Sequence, residues 1–161
     1  MRLALYQPDI PGNAGAIMRT AVCLGVAVDV IGPCGFVLSD KQLRRAGLDY
    51  LAQLDFTNHS SWQAFNDSRS PGSCVNIPES RLVLLSTKAE NSYLEFSYLK
   101  NDILLVGRES AGVPQEVHAS ADARVRVPMG QYIRSLNVTA ALAMVLGEAL
   151  RQTHGFPVNS D

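Results

Sequence analysis

The chain has little of what would reveal its chemistry directly. It holds three cysteines, Cys23, Cys34 and Cys74, an odd number with no C-x-x-C spacing. That excludes a disulfide framework and points to free thiols in a reducing cytoplasm. His59, His118 and His154 lie far apart and form no local metal motif. Charged residues are 18% of the chain and the net charge is −1. Bulk charge therefore does not announce nucleic-acid binding, and any such site must be a local basic patch. No G-x-G-x-x-G follows the first apolar strand, which weakens a nucleotide-binding Rossmann assignment. No apolar run approaches the ~18 residues of a membrane span. The apolar run at the N-terminus is too short for a signal peptide.

What is present is a globular composition. With 161 residues and 47% apolar content, the chain is long enough for one domain with a proper core. Short apolar runs at 3–6, 26–31, 82–85 and 103–106 read as strands, with a further strand at 51–56 and a last short one at 125–127. Helices are expected at 13–25, at 40–46, from Ser60 or Ser61 through Trp62 and Phe65, in a short piece after Pro114, and at 137–152. Residues 67–80 are rich in Ser, Pro, Gly and Asn and read as a loop; 154–161 reads as a loose tail. Strands alternating with helices imply an α/β fold with a mostly parallel sheet and helices on both faces. In such sheets ligands bind beyond the carboxyl ends of strands. Three loops qualify, at 85–88, 107–112 and 128–136.

Three segments could carry chemistry. In the first, from Pro11 to Arg19, Arg19 sits four residues after Gly15 on the same helix face. Side chains on a helix lean toward its N-terminus, so Arg19 reaches back over Gly15 toward the end of the first strand. A guanidinium there suits a phosphate or a developing oxyanion, though a surface ion pair explains it equally well. In the second, Gly107 directly after a buried strand lets a ligand approach the backbone, while Gly112 and Pro114 shape the following turn. A plain glycine turn is the simpler alternative. The third segment, 126–138, breaks from a strand at Pro128 and Gly130 and ends at a helix start, where Ser135 and Asn137 are good N-cap types. Unpaired backbone N–H groups at that start could hold a small ligand, although most such joints bind nothing. The helix that follows carries a core stripe and a second stripe of small residues, Thr139, Ala143 and Gly147. That second stripe fits a partner helix from a second subunit or close packing within the chain.

Four segments in order, 8–19, 40–50, 107–114 and 127–138, resemble the SPOUT methyltransferases, and within them the TrmL type of tRNA (cytidine/uridine) wobble 2′-O-methyltransferase. The resemblance implies a single SPOUT domain over 1–161 with a C-terminal deep trefoil knot. It implies S-adenosylmethionine as cofactor, bound at Leu85, Gly107, Val127 and Ser135 with Met129 and Asn137 nearby. It implies a homodimer whose active sites take residues from both subunits, with Asn13 and Arg19 as catalytic candidates. A literal base role for Arg19 is doubtful, because guanidinium stays protonated in proteins. The substrate would be tRNA, held by Lys41, Arg44, Arg45 and Arg134 through phosphates. No metal and no membrane are expected, and the location is cytoplasmic. The alternatives are a SPOUT enzyme acting on another tRNA position or on rRNA, and a non-catalytic RNA- or cofactor-binding module of the same fold. Tyr132 receives no role.

Overall fold

Six strands pair edge to edge in the order β3-β2-β1-β5-β4-β6, and every pairing between them is parallel. They are β1 (Arg2–Tyr6), β2 (Ala27–Ile31), β3 (Phe56–His59), β4 (Leu82–Leu85), β5 (Ile103–Val106) and β6 (Ala123–Val125). The helices among the described residues are α1 (Pro11–Leu24), α2 (Trp62–Arg69), α3 (Gln115–Ser120) and α4 (Val138–Thr153). The computed structural model describes residues 1–36, 53–69 and 80–158. The expected helix at 40–46, with Lys41, Arg44 and Arg45, lies outside the described residues, as does Cys74.

Period-two alternation divides the core between the two sheet faces. Leu3, Leu5, Val28, Val30, Val83, Leu104 and Val106 point to one face, where Ile17, Met18 and Ala21 of α1 and Leu142, Val145 and Leu146 of α4 cover them. Ala4, Tyr6, Ile31, Leu82, Leu84, Ile103 and Leu105 point to the other, beneath Trp62 and Phe65 of α2 and Val117 of α3. Both faces are covered, so the central strands read as unbroken apolar runs. The chain steps outward from β1 to β3, then returns to the far side of β1 through β4 and β5. The carboxyl ends of β1, β5, β4 and β6 consequently lie side by side at a topological switch point.

Three of the boundary differences from the sequence expectation have a physical cause on view. α1 begins at Pro11, two residues early, because proline at the first helical position loses no hydrogen bond and pre-sets φ. The strand expected at 51–56 is instead Phe56–His59. Its polar residues Thr57, Asn58 and His59 disguise an edge strand, and the His59 ring is bonded to buried Asp29 at 2.9 Å. The last strand ends at Val125 rather than Val127. There Arg126 leaves β4 and bonds the 86–102 connection, its N–H donating to the Asn91 carbonyl and its carbonyl accepting from Tyr93, both at 2.9 Å.

Candidate active site

A cavity of about 500 Å³ opens at the carboxyl ends of β4, β5 and β6. All three loops singled out in the sequence contribute to it. Leu85, Gly107, Val127, Met129, Ser135 and Asn137 all line it, and Asn13 reaches it from the first turn of α1. The parallel register brings these distant segments together, because β5, β4 and β6 are neighbours.

A hydrogen-bonded chain fixes the loops to one another. The Asp9 N–H donates to Glu109 Oε2 and the Glu109 N–H donates back to Asp9 Oδ1, each at 3.1 Å. Ser110 Oγ donates to the second Asp9 oxygen. Glu109 Oε1 accepts from Asn13 Nδ2 at 3.1 Å, and Asn13 Oδ1 accepts from Asn137 Nδ2 at 3.1 Å. Asn137 in turn caps α4, its Oδ1 accepting from the N–H of Thr139 at 2.8 Å and of Ala140 at 3.4 Å. Thr139 Oγ1 reaches the Asn13 carbonyl at 3.4 Å. The bonds from Glu109 and Ser110 hold the Asp9 carboxyl well below the ordinary carboxylate range.

The loop after β5 has no room for a side chain at Gly107. A Cβ there would lie 2.5 Å from the Gly112 carbonyl carbon. The loop closes on itself through Arg108 N–H to Gly112 O at 3.0 Å and Gly112 N–H to Arg108 O at 2.8 Å. Gly112 turns the corner at φ +69°.

Some predicted residues lie elsewhere. Arg134 is exposed and does not line the cavity. Arg19 is also off its wall, on the exposed α1 stripe with Gly12, Ala16 and Cys23. Residues not singled out as site candidates from the sequence join the wall instead: Lys88, Arg126, Glu109 and His118. His118 Nδ1 accepts from Arg124 Nε at 3.2 Å, which leaves Nε2 to carry the ring hydrogen. No periodic or spacing signal marks His118, since α3 is only six residues long.

Two substitutions test this scaffold. Gly107→Ala should force the 107–112 loop apart and lower the free energy of unfolding by about 1–3 kcal/mol, read from urea denaturation. Wild-type stability would show that the loop yields freely. Asp9 contributes stability that is complete above its unfolded pKa, about 3.9, and that is lost as pH falls below this toward the folded value. Asp9→Asn should therefore melt below wild type at neutral pH, and the gap should narrow on acidification below about pH 4. A gap that stays constant would remove Asp9 from the network.

Relatives match this chain along most of its length and in fold. A tRNA (cytidine(34)-2′-O)-methyltransferase from Beijerinckia indica is 55% identical over 150 residues, which cover 93% of this chain and 90% of that protein. A solved structure described as giving insight into the 2-OH methylation of C/U34 on tRNA superposes with a TM-score of 0.84 at 40% identity, covering 94% of each chain. The SpoU methyltransferase AviRb from Streptomyces viridochromogenes, solved in complex with AdoMet, superposes with a TM-score of 0.83 at 27% identity, over 94% of this chain and 60% of that one. The pattern of the SpoU rRNA Methylase family matches residues 1–147, and since that is most of the molecule, the chain belongs to this family.

Proposed function

We propose that this protein is an S-adenosylmethionine-dependent methyltransferase that modifies the ribose 2′-hydroxyl of nucleotide 34 in tRNA, acting as one domain in the cytoplasm. The observation that carries this is the meeting of Leu85, Gly107, Val127, Met129, Ser135 and Asn137 around one cavity. The near full-length relatives with that named activity support it.

The cavity fits the cofactor. Its volume of about 500 Å³ lies within the roughly 300–1,000 Å³ that suits a drug-sized ligand. Leu85, Val127 and Leu136 offer apolar wall for a base, and the side-chain-free backbone at Gly107 allows close approach. S-adenosylmethionine, when bound, supplies a methyl carbon on a sulfonium, a good leaving group. The protein must then place the hydroxyl in line and manage its proton. Asn13 enters as a positioning residue, because both its amide oxygen and its nitrogen are engaged by Asn137 and Glu109. Arg19 steadies the developing alkoxide and the adjacent phosphate. Lys41, Arg44, Arg45 and Arg134 are assigned to tRNA phosphates on charge.

A homodimer belongs to the same proposal. α1 and α4 cover the same sheet face, and each leaves a stripe of small residues open: Gly12 and Ala16 beside Arg19, and Ala140 and Ala143 near Gly147. A Cβ at Gly147 would meet nothing within 4 Å, so packing within the chain does not explain its size. Across a two-fold, Arg19 of one protomer would reach the cavity of its partner. The implied trefoil knot is also assigned here. The 86–102 connection is bonded on one side by Arg126 and on the other by Gln152, which accepts from the Tyr98 N–H at 2.9 Å and donates to the Phe96 carbonyl at 3.0 Å.

Mass spectrometry of tRNA nucleosides from cells with and without the gene should show 2′-O-methylation at nucleotide 34 lost in its absence. In vitro, Arg19→Ala should abolish methyl transfer while cofactor affinity stays within about twofold, as expected for a group that acts on the transition state. Equal loss of both would remove Arg19 from that role. Ala143→Glu should place a charge in the helix face and shift the protein to monomers in sedimentation, with turnover lost in parallel. A monomeric variant that remains active would overturn the shared site.

A further inference from the structure

Tyr132 is disfavoured where it stands by two independent measures. Its backbone φ is +71°, at the third residue of a turn closed by the Ile133 N–H to the Gly130 carbonyl at 3.4 Å. Glycine or asparagine is preferred at such a position, and a bulky residue there is strained. The residue is also 98% exposed, so no contact in the fold offsets the strain. The turn lies in the loop whose two ends, Met129 and Ser135, line the cavity. Arg134 is two residues away, and Lys88 and Arg126 stand on the cavity wall. None of these three cations forms an ion pair with a described carboxylate.

We propose that Tyr132 is a stacking platform for an unpaired base of the anticodon loop, held beside the cavity while Lys88, Arg126 and Arg134 take the flanking phosphates. This rests on the function proposed above and names a contact by which the same site selects its RNA. An aromatic face among cations without a described carboxylate partner is the arrangement that binds single-stranded nucleic acid, with bases on the ring and phosphates on the charges.

The test compares methyl transfer to a tRNA transcript with cytidine at position 34 by wild type, Tyr132→Phe, Tyr132→Trp, Tyr132→Ala and Tyr132→Gly. Phe and Trp should retain the wild-type KM for tRNA. Ala and Gly should raise it about ten- to a hundredfold, with kcat and S-adenosylmethionine affinity within about twofold. Tyr132→Gly should also melt at or above the wild-type temperature, since it relieves the backbone. Loss of RNA affinity in a variant that is no less stable cannot come from a structural role. An unchanged KM in Tyr132→Ala overturns the platform while leaving the assigned reaction intact. A shift of Tyr132→Ala toward monomers in sedimentation overturns it in favour of a protein contact. Wild type that leaves nucleotide 34 unmethylated overturns both the platform and the assigned reaction.

Discussion

The hydrogen-bonded chain from Asp9 through Glu109 and Asn13 to Asn137 is the constraint on which the site depends. It joins three pieces of backbone that are remote in sequence: the turn after β1, the loop after β5 and the first turn of α4. Each bond is worth about 1 kcal/mol on its own, so no single one holds the cavity open. Their effect is cooperative, because each acceptor is oriented by the next donor. Asn137 shows this most directly. It caps α4 with its oxygen and grips Asn13 with its nitrogen, so the end of the cavity loop and the start of the helix are fixed by one side chain.

The sheet supplies what the network fastens. Parallel pairing puts every strand's carboxyl end on the same edge, and the order β1-β5-β4-β6 gathers the loops after those four strands. This explains how much of the site could be read from the sequence. The strands at 82–85 and 103–106 are apolar throughout because both faces are covered, so their ends and the loops after them were plain. The glycines after β5 mark a loop that tolerates no Cβ at Gly107. The six residues implied as cofactor contacts surround one cavity because Leu85, Gly107 and Val127 follow strand ends that the topology gathers, and Asn137 is fixed at the start of α4.

What the sequence concealed has a common cause. β3 carries Thr, Asn and His because it is an edge strand, and its buried histidine is satisfied by Asp29, itself bonded bidentately to Arg2 at 2.7 and 3.1 Å. Local pattern cannot report a partner thirty residues away. β6 ends two residues before its pattern predicts for the same reason, since Arg126 exchanges its strand for a bond to the 86–102 connection. Lys88, Arg126 and His118 enter the wall through tertiary packing, with no periodic signature. Arg19 is the instructive case: four residues after Gly15, it lies on the exposed stripe of α1 with Gly12 and Ala16 while Gly15 is buried, and local spacing does not say which surface that stripe meets.

Net charge conceals the chemistry in a related way. At −1 overall, the chain gives no sign of a polyanionic substrate, yet its buried acids are largely matched within the fold. Asp29 is held by Arg2, Asp102 by Arg81 at 2.8 Å, and Asp9 is absorbed by Ser110 and backbone with Arg108 at 3.7 Å. Pairs of this kind cancel at a distance greater than the Debye length of about 8 Å. The field a ligand meets at the cavity is set by what is left over locally, which is Lys88, Arg126 and Arg134 without a described carboxylate partner, set against Glu109, whose partners are neutral N–H groups. The same network that positions Asn13 and Asn137 therefore also spends Asp9 and Glu109 on internal bonds, so that the acids nearest the cavity do not face an incoming phosphate unaccompanied. Geometry and electrostatics of the rim are set by one arrangement, and a change that breaks the Asp9–Glu109 bracket disturbs both together.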